Sequence, residues 1–62
     1  MTLGERIASL RKEKGLSQEA LGELVGVTRQ AVSKWEADKT LPDVNYCVAL
    51  SRVFEVPLTR LL

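Results

Sequence analysis

Apolar positions along this chain recur at helical spacing, broken by short polar turns. Leu3, Ile7 and Leu10 repeat at i, i+4 and i+7 and predict a first helix over residues 3–14. Gly15 is its stop, and Lys12 and Lys14 fall in the last turn, where cations suit the helix dipole. Ser17 is a good N-cap for a second helix over 17–25, with Ala20, Leu21, Leu24 and Val25 expected to face the core. Thr28 is a plausible cap for a third helix over 28–37. After a loop from Asp38 to Pro42, Asp43 is placed to cap a fourth over 43–54, with Val44, Cys47, Val48, Leu50 and Phe54 inward. Pro57 opens a short fifth helix over 57–62. No segment alternates as a strand would, so the pattern predicts an all-α, compact five-helix bundle in one domain, residues 1–62.

The densest signal is QEALGELVGVTRQAVSKWE, residues 18–36, in which two short amphipathic patterns meet at Val25-Gly26-Val27. Gly26 permits a positive φ, so one helix can end and the next begin within about three residues, as in a helix-turn-helix. Gly22 lies where the second helix would pass close to the third, and a small residue there lets the backbones approach. On a wheel of about 100° per residue, Thr28, Ala31, Val32 and Trp35 cluster on one side of the third helix, and Arg29, Gln30, Ser33 and Lys34 on the other.

That outward set has the chemistry of base recognition. Arginine grips guanine O6 and N7 with two parallel donors, and glutamine pairs with adenine N6 and N7. Lysine serves guanine or phosphate, and serine serves base edges or backbone. An ordinary solvated helix face mixes acids with bases; here Glu36, the nearest acid, lies at the far end and nearer the core side. Gln18, in the first turn of the second helix, sits where free backbone N–H groups and the helix dipole attract phosphate.

Composition narrows the alternatives. The net charge is +1, so any affinity for DNA must come from local placement of charge rather than a general basic field. There is no histidine and a single cysteine, Cys47, so an ordinary zinc site and an internal disulfide are both excluded. No catalytic constellation, phosphate-binding glycine loop or cofactor motif is present, and an enzyme is not expected. No apolar run approaches the length of a membrane span, and a cytoplasmic setting is expected. Trp35 and Cys47 read as core, the indole N–H seeking a partner, while Tyr46 points away from the inward stripe of its helix. The apolar C-terminus, Val56, Leu58, Leu61 and Leu62, is expected to cover the core in part and to offer the remainder for a two-fold contact. Its abrupt end on two leucines suggests a longer protein beyond residue 62.

Nearly the whole chain resembles the phage lambda and 434 repressor/Cro family of helix-turn-helix proteins, also called the XRE family. The resemblance rests on LRKEKGLSQEALGELVGV, TRQAVSKWE, the loop with Lys39 and Pro42, and the closing VPLTRLL. It implies a lambda repressor-like fold and a sequence-specific DNA-binding regulator of transcription, commonly a repressor. Such a protein would bind double-stranded DNA as a homodimer on a roughly palindromic operator. It also implies base reading by Arg29, Gln30 and Lys34, with Ser33 and Thr28 at base edges or phosphate. Phosphate contacts would come from Gln18, with Arg11 and Lys39 as further candidates, and Arg11 would form a structural salt bridge with Glu36. Departures from the family pattern are Glu55, where glycine often follows the fourth helix, Pro57 in place of a Ser or Thr cap, and Gly22 in place of alanine. The alternative is a protein-interaction module, antitoxin-like or an anti-activator partner, that keeps the fold and works through its apolar C-terminus.

Overall fold

A computed structural model describes every residue from Met1 to Leu62. It contains five helices and no strand: α1 (Leu3–Glu13), α2 (Gln18–Val25), α3 (Arg29–Glu36), α4 (Val44–Phe54) and α5 (Leu58–Leu61). None is long and apolar enough to cross a membrane.

The helix starts follow from side chains that satisfy orphan amide groups. Ser17, Thr28 and Asp43 each accept the backbone N–H three residues on, from Ala20, Ala31 and Tyr46. Each such cap contributes about 1 kcal/mol. Thr2 and Glu5 form a reciprocal capping box at the start of α1. Pro57 precedes α5 without a side-chain cap, so this last short helix relies on packing.

The ends of α1 to α4 share one device. Residues 15, 26, 38 and 55 all take the left-handed conformation. The amide after each bonds back to the carbonyl five residues before it, as in Leu16 to Arg11 and Val27 to Gly22. Gly15 and Gly26 do this without a Cβ penalty, whereas Asp38 and Glu55 carry side chains there. Glu55 therefore ends α4 as a glycine would, and its carboxylate reaches Lys14, the residue that caps the end of α1.

Nine residues form the core: Ile7, Leu10, Leu21, Val32, Trp35, Cys47, Leu50, Phe54 and Leu61. All five helices contribute, and apolar burial of this kind is the main favourable term in folding. Helical phase explains where the expected core was wrong. Along α2 the buried arc is centred between Leu21, Gly22 and Val25, which turns Leu24 about a quarter-turn away, and it is 60% exposed. Val44, at the first turn of α4, projects past the core and is 67% exposed. Val48 and Tyr46 flank the buried stripe of α4 on its two sides, both half-buried. Tyr46 does not point away: its ring lies 5.5 Å from that of Trp35, tilted by 48°.

Candidate nucleic-acid interface

The third helix owes its exposure to the two elements that hold it. Gly26, at φ 84°, ends α2 and lets Thr28 start α3 two residues later. Gly22 is buried against this turn; a Cβ there would stand 2.6 Å from the Val27 carbonyl oxygen. The close approach is thus to the turn entering α3. Val32 and Trp35 sink into the core and leave the opposite face in solvent.

Arg29, Gln30 and Lys34 are exposed on that face, and Ser33 is half-buried at its edge. Lys39 is exposed in the loop beyond. None of these side chains takes part in the ion pairs or side-chain hydrogen bonds of the protein, so their donors are free for a ligand. Thr28 is exposed rather than core-facing. It stands outside the helix with extended backbone, so the wheel that placed it with Val32 does not govern it.

The one acid of α3 is withdrawn from this face. Glu36 accepts from Arg11 Nε at 2.6 Å through one oxygen, and from Arg11 Nη2 and Gln18 Nε2, both at 3.0 Å, through the other. The ion-paired side chains of Arg11 and Glu36 are only 13% and 10% exposed. Hydrogen bonding to Glu36 raises the Arg11 pKa above its ordinary value, against the opposing effect of burial. Arg11 Nη1 also donates to the Leu16 carbonyl, so the guanidinium braces the α1–α2 turn as well as the end of α3. The α1 residue expected at a phosphate is thus mostly spent inside the protein.

Gln18, the candidate phosphate contact in the first turn of α2, lies on the arc of that helix turned toward the core and is half-buried. One amide hydrogen goes to Glu36; the other remains. Helical phase, counted from Leu21, would have placed Gln18 on this arc. A contact between the C-terminal end of α3 and the start of α1 escaped the sequence reading. Asp38 accepts from Thr2 Oγ1 at 2.6 Å and from the Gly4 N–H at 3.0 Å, and Gly4 packs against the last turn of α3. The T-x-x-E spacing of Thr2 and Glu5 was a legible cap, but nothing local linked it to residue 38.

Elsewhere the chemistry is quiet. Cys47 is buried with its Sγ 3.6 Å from the Pro42 carbonyl oxygen, and burial, with the nearby Asp43 charge, pushes its pKa up. The Trp35 indole N–H has no protein acceptor, contrary to expectation; as no buried polar side-chain atom is unpaired, it reaches the surface. No group of three or more His, Cys, Asp or Glu side chains is arranged to hold a metal.

Comparison with known proteins places this arrangement. The helix-turn-helix family model matches residues 7–61. The HTH-type transcriptional activator BcrR of Enterococcus faecalis is 39% identical over 62 residues, covering 100% of this chain and 30% of its own. The P22 c2 repressor in complex with a synthetic operator superposes with a TM-score of 0.94 at 39% identity, covering 100% of this chain and 94% of that one. The biofilm master regulator SinR in complex with DNA gives 0.89 at 33% identity, with 97% of each chain covered. The chain spans less than a third of the length of BcrR.

The chain belongs to the helix-turn-helix family, as the match over residues 7–61 shows.

Proposed function

From that membership, we infer that the chain is the sequence-specific DNA-binding domain of a transcription regulator and that it acts by repression. The observation that carries this is the division of labour on α3: free donors on Arg29, Gln30 and Lys34, with the helix's one carboxylate, Glu36, consumed by Arg11 and Gln18. The similar P22 c2 repressor and SinR structures, each a complex with DNA, support the same reading.

In this reading α3 enters the major groove with its N-terminal turn toward base edges. Arg29 and Gln30 offer bidentate donors to guanine and adenine, and Lys34 and Ser33 complete the reading face. Thr28, Lys39 and the remaining amide hydrogen of Gln18 engage phosphate and fix the register. Arg11, with 13% of its side chain exposed, contributes mainly by holding Glu36. The regulator works as a homodimer, with two α3 helices in successive major grooves about 34 Å apart on a roughly palindromic site. Leu62, 60% exposed, and half-buried Val56 and Leu58 supply the apolar contact between protomers. No catalytic step or cofactor is involved, and the place of action is the cytoplasm, with the DNA.

Selection from a random duplex library, followed by sequencing, tests the proposal. Enrichment of a two-fold site with half-sites one helical turn apart is the expected result. No enrichment, with recovery of one stoichiometric protein partner, would replace it with the protein-interaction reading.

A further inference from the structure

We propose that Asp38 is a positioning residue for DNA contact, a side-chain clip that fixes the exit of α3, and Lys39 with it, to the start of α1. This rests on the DNA reading above. Asp38 occupies the left-handed position after α3, at φ 58°, which glycine takes most cheaply. Its backbone closes the helix: the Asp38 N–H bonds to the Trp35 carbonyl, and the Lys39 N–H to that of Lys34 at 2.9 Å. A glycine would do this equally well, so the backbone gives no reason for aspartate.

The side chain supplies the reason. One carboxylate oxygen accepts from Thr2 Oγ1 at 2.6 Å and the other from the Gly4 N–H at 3.0 Å. The carboxylate thereby satisfies a first-turn amide of α1 and lies at the positive end of its dipole. Gly4 makes the approach possible: a Cβ there would stand 2.3 Å from the Trp35 carbonyl oxygen and 2.6 Å from Asp38 Oδ1. The end of α3 is therefore held to α1 twice, by Arg11 at Glu36 and by Thr2 and Gly4 at Asp38. The second hold is the one adjacent in sequence to Lys39, whose own side chain is free.

Two substitutions separate the clip from charge and backbone. Asp38→Asn and Asp38→Gly both remove the negative charge, and both residues accept the left-handed conformation. Only asparagine keeps the clip, its Oδ1 accepting from Gly4 and its Nδ2 donating to Thr2 Oγ1. Each is titrated, well below its melting temperature, against the duplex that the unaltered chain selects. Asp38→Asn is expected to bind at least as tightly as the unaltered chain. Asp38→Gly is expected to bind about tenfold more weakly than Asp38→Asn, the weight of the neutral hydrogen bonds that only asparagine keeps. Its salt dependence should also be shallower by about one counterion as Lys39 loses its phosphate. A purely structural role would leave that slope unchanged in the folded protein. If Asp38→Gly does not fold, Thr2→Ala, which cuts the 2.6 Å bond and the α1 cap together but spares the backbone of residue 38, is read by its salt slope, which loss of the cap alone leaves unchanged in the folded protein. Equal affinity and slope for the two Asp38 variants, or for Thr2→Ala and the unaltered chain, overturn the clip while leaving the DNA reading intact. Failure of the unaltered chain to select any duplex overturns both.

Discussion

Arg11 and Glu36, separated by 25 residues, meet side-on through two hydrogen bonds at 2.6 and 3.0 Å. The pair joins the first helix to the last turn of the third. Removing one partner from such a nearly buried pair strands the other charge, at a cost of about 3 kcal/mol. For a chain this small that is much of the total stability. Arg11→Ala is expected to be largely unfolded or to melt far earlier in urea, and the double variant with Glu36→Ala should recover part of the loss. A strictly additive double variant would show that the two do not act together.

Gly4→Ala should destabilise the fold by about 1–3 kcal/mol despite the better helix propensity of alanine. Its Cβ would stand 2.3 Å from the backbone oxygen of Trp35, so a whole helix end must move. Thermal melts followed by circular dichroism give the sign directly; a neutral or stabilising result would contradict the close packing of α1 on α3.

These two sites also mark how far the sequence could be read. The five helices follow from apolar spacing and caps, because each is decided within a few residues of its own position. The outward set Arg29, Gln30 and Lys34 was legible for the same reason. The link from Gln18 to Glu36, 18 residues on, has no local signature. Asp38 lies in the loop where it was read, but its partners, 34 and 36 residues away, were not visible. Leu24 and Val44 looked like core because apolarity was weighed over helical phase and position at a helix end. The Arg11–Glu36 bridge was anticipated from the family resemblance; no local pattern encoded it or the other contacts between elements.

Arg29→Ala is expected to cost about 1–3 kcal/mol on the selected duplex and to relax preference at one base position. Lys39→Ala should instead weaken binding to all duplexes and reduce the salt slope by about one. Quantitative titrations on selected and random duplexes separate the two. Equal loss for Arg29→Ala on both would make it a phosphate contact only.

Alkali should destabilise the domain through Cys47. Its folded-state pKa lies above that of an unfolded thiol, so the neutral form favours folding at lower pH. That contribution is complete below about pH 8.5, where ordinary thiols begin to ionise, and is lost as pH rises through the folded value. Melting temperatures measured through the mildly alkaline range should fall more steeply for the unaltered chain than for Cys47→Ala. Parallel curves would deny the burial.

On the acid side, the hydrogen bond from Lys14 holds the Glu55 carboxyl below its ordinary pKa. Its stabilising contribution is present above the ordinary carboxylate range and is lost as pH falls through the lowered value. The pair is exposed, so the effect is small and salt-sensitive. Low-salt melts of Glu55→Gln should lack this part of the acid dependence; an unchanged pH profile would show that the pair contributes nothing.

The ends of α3 are fastened to the rest of the protein, while Arg29, Gln30 and Lys34 between them touch no partner within it. If those three side chains read DNA as proposed, target choice is uncoupled from foldability, and a lineage can rewrite them one at a time without passing through an unfolded ancestor.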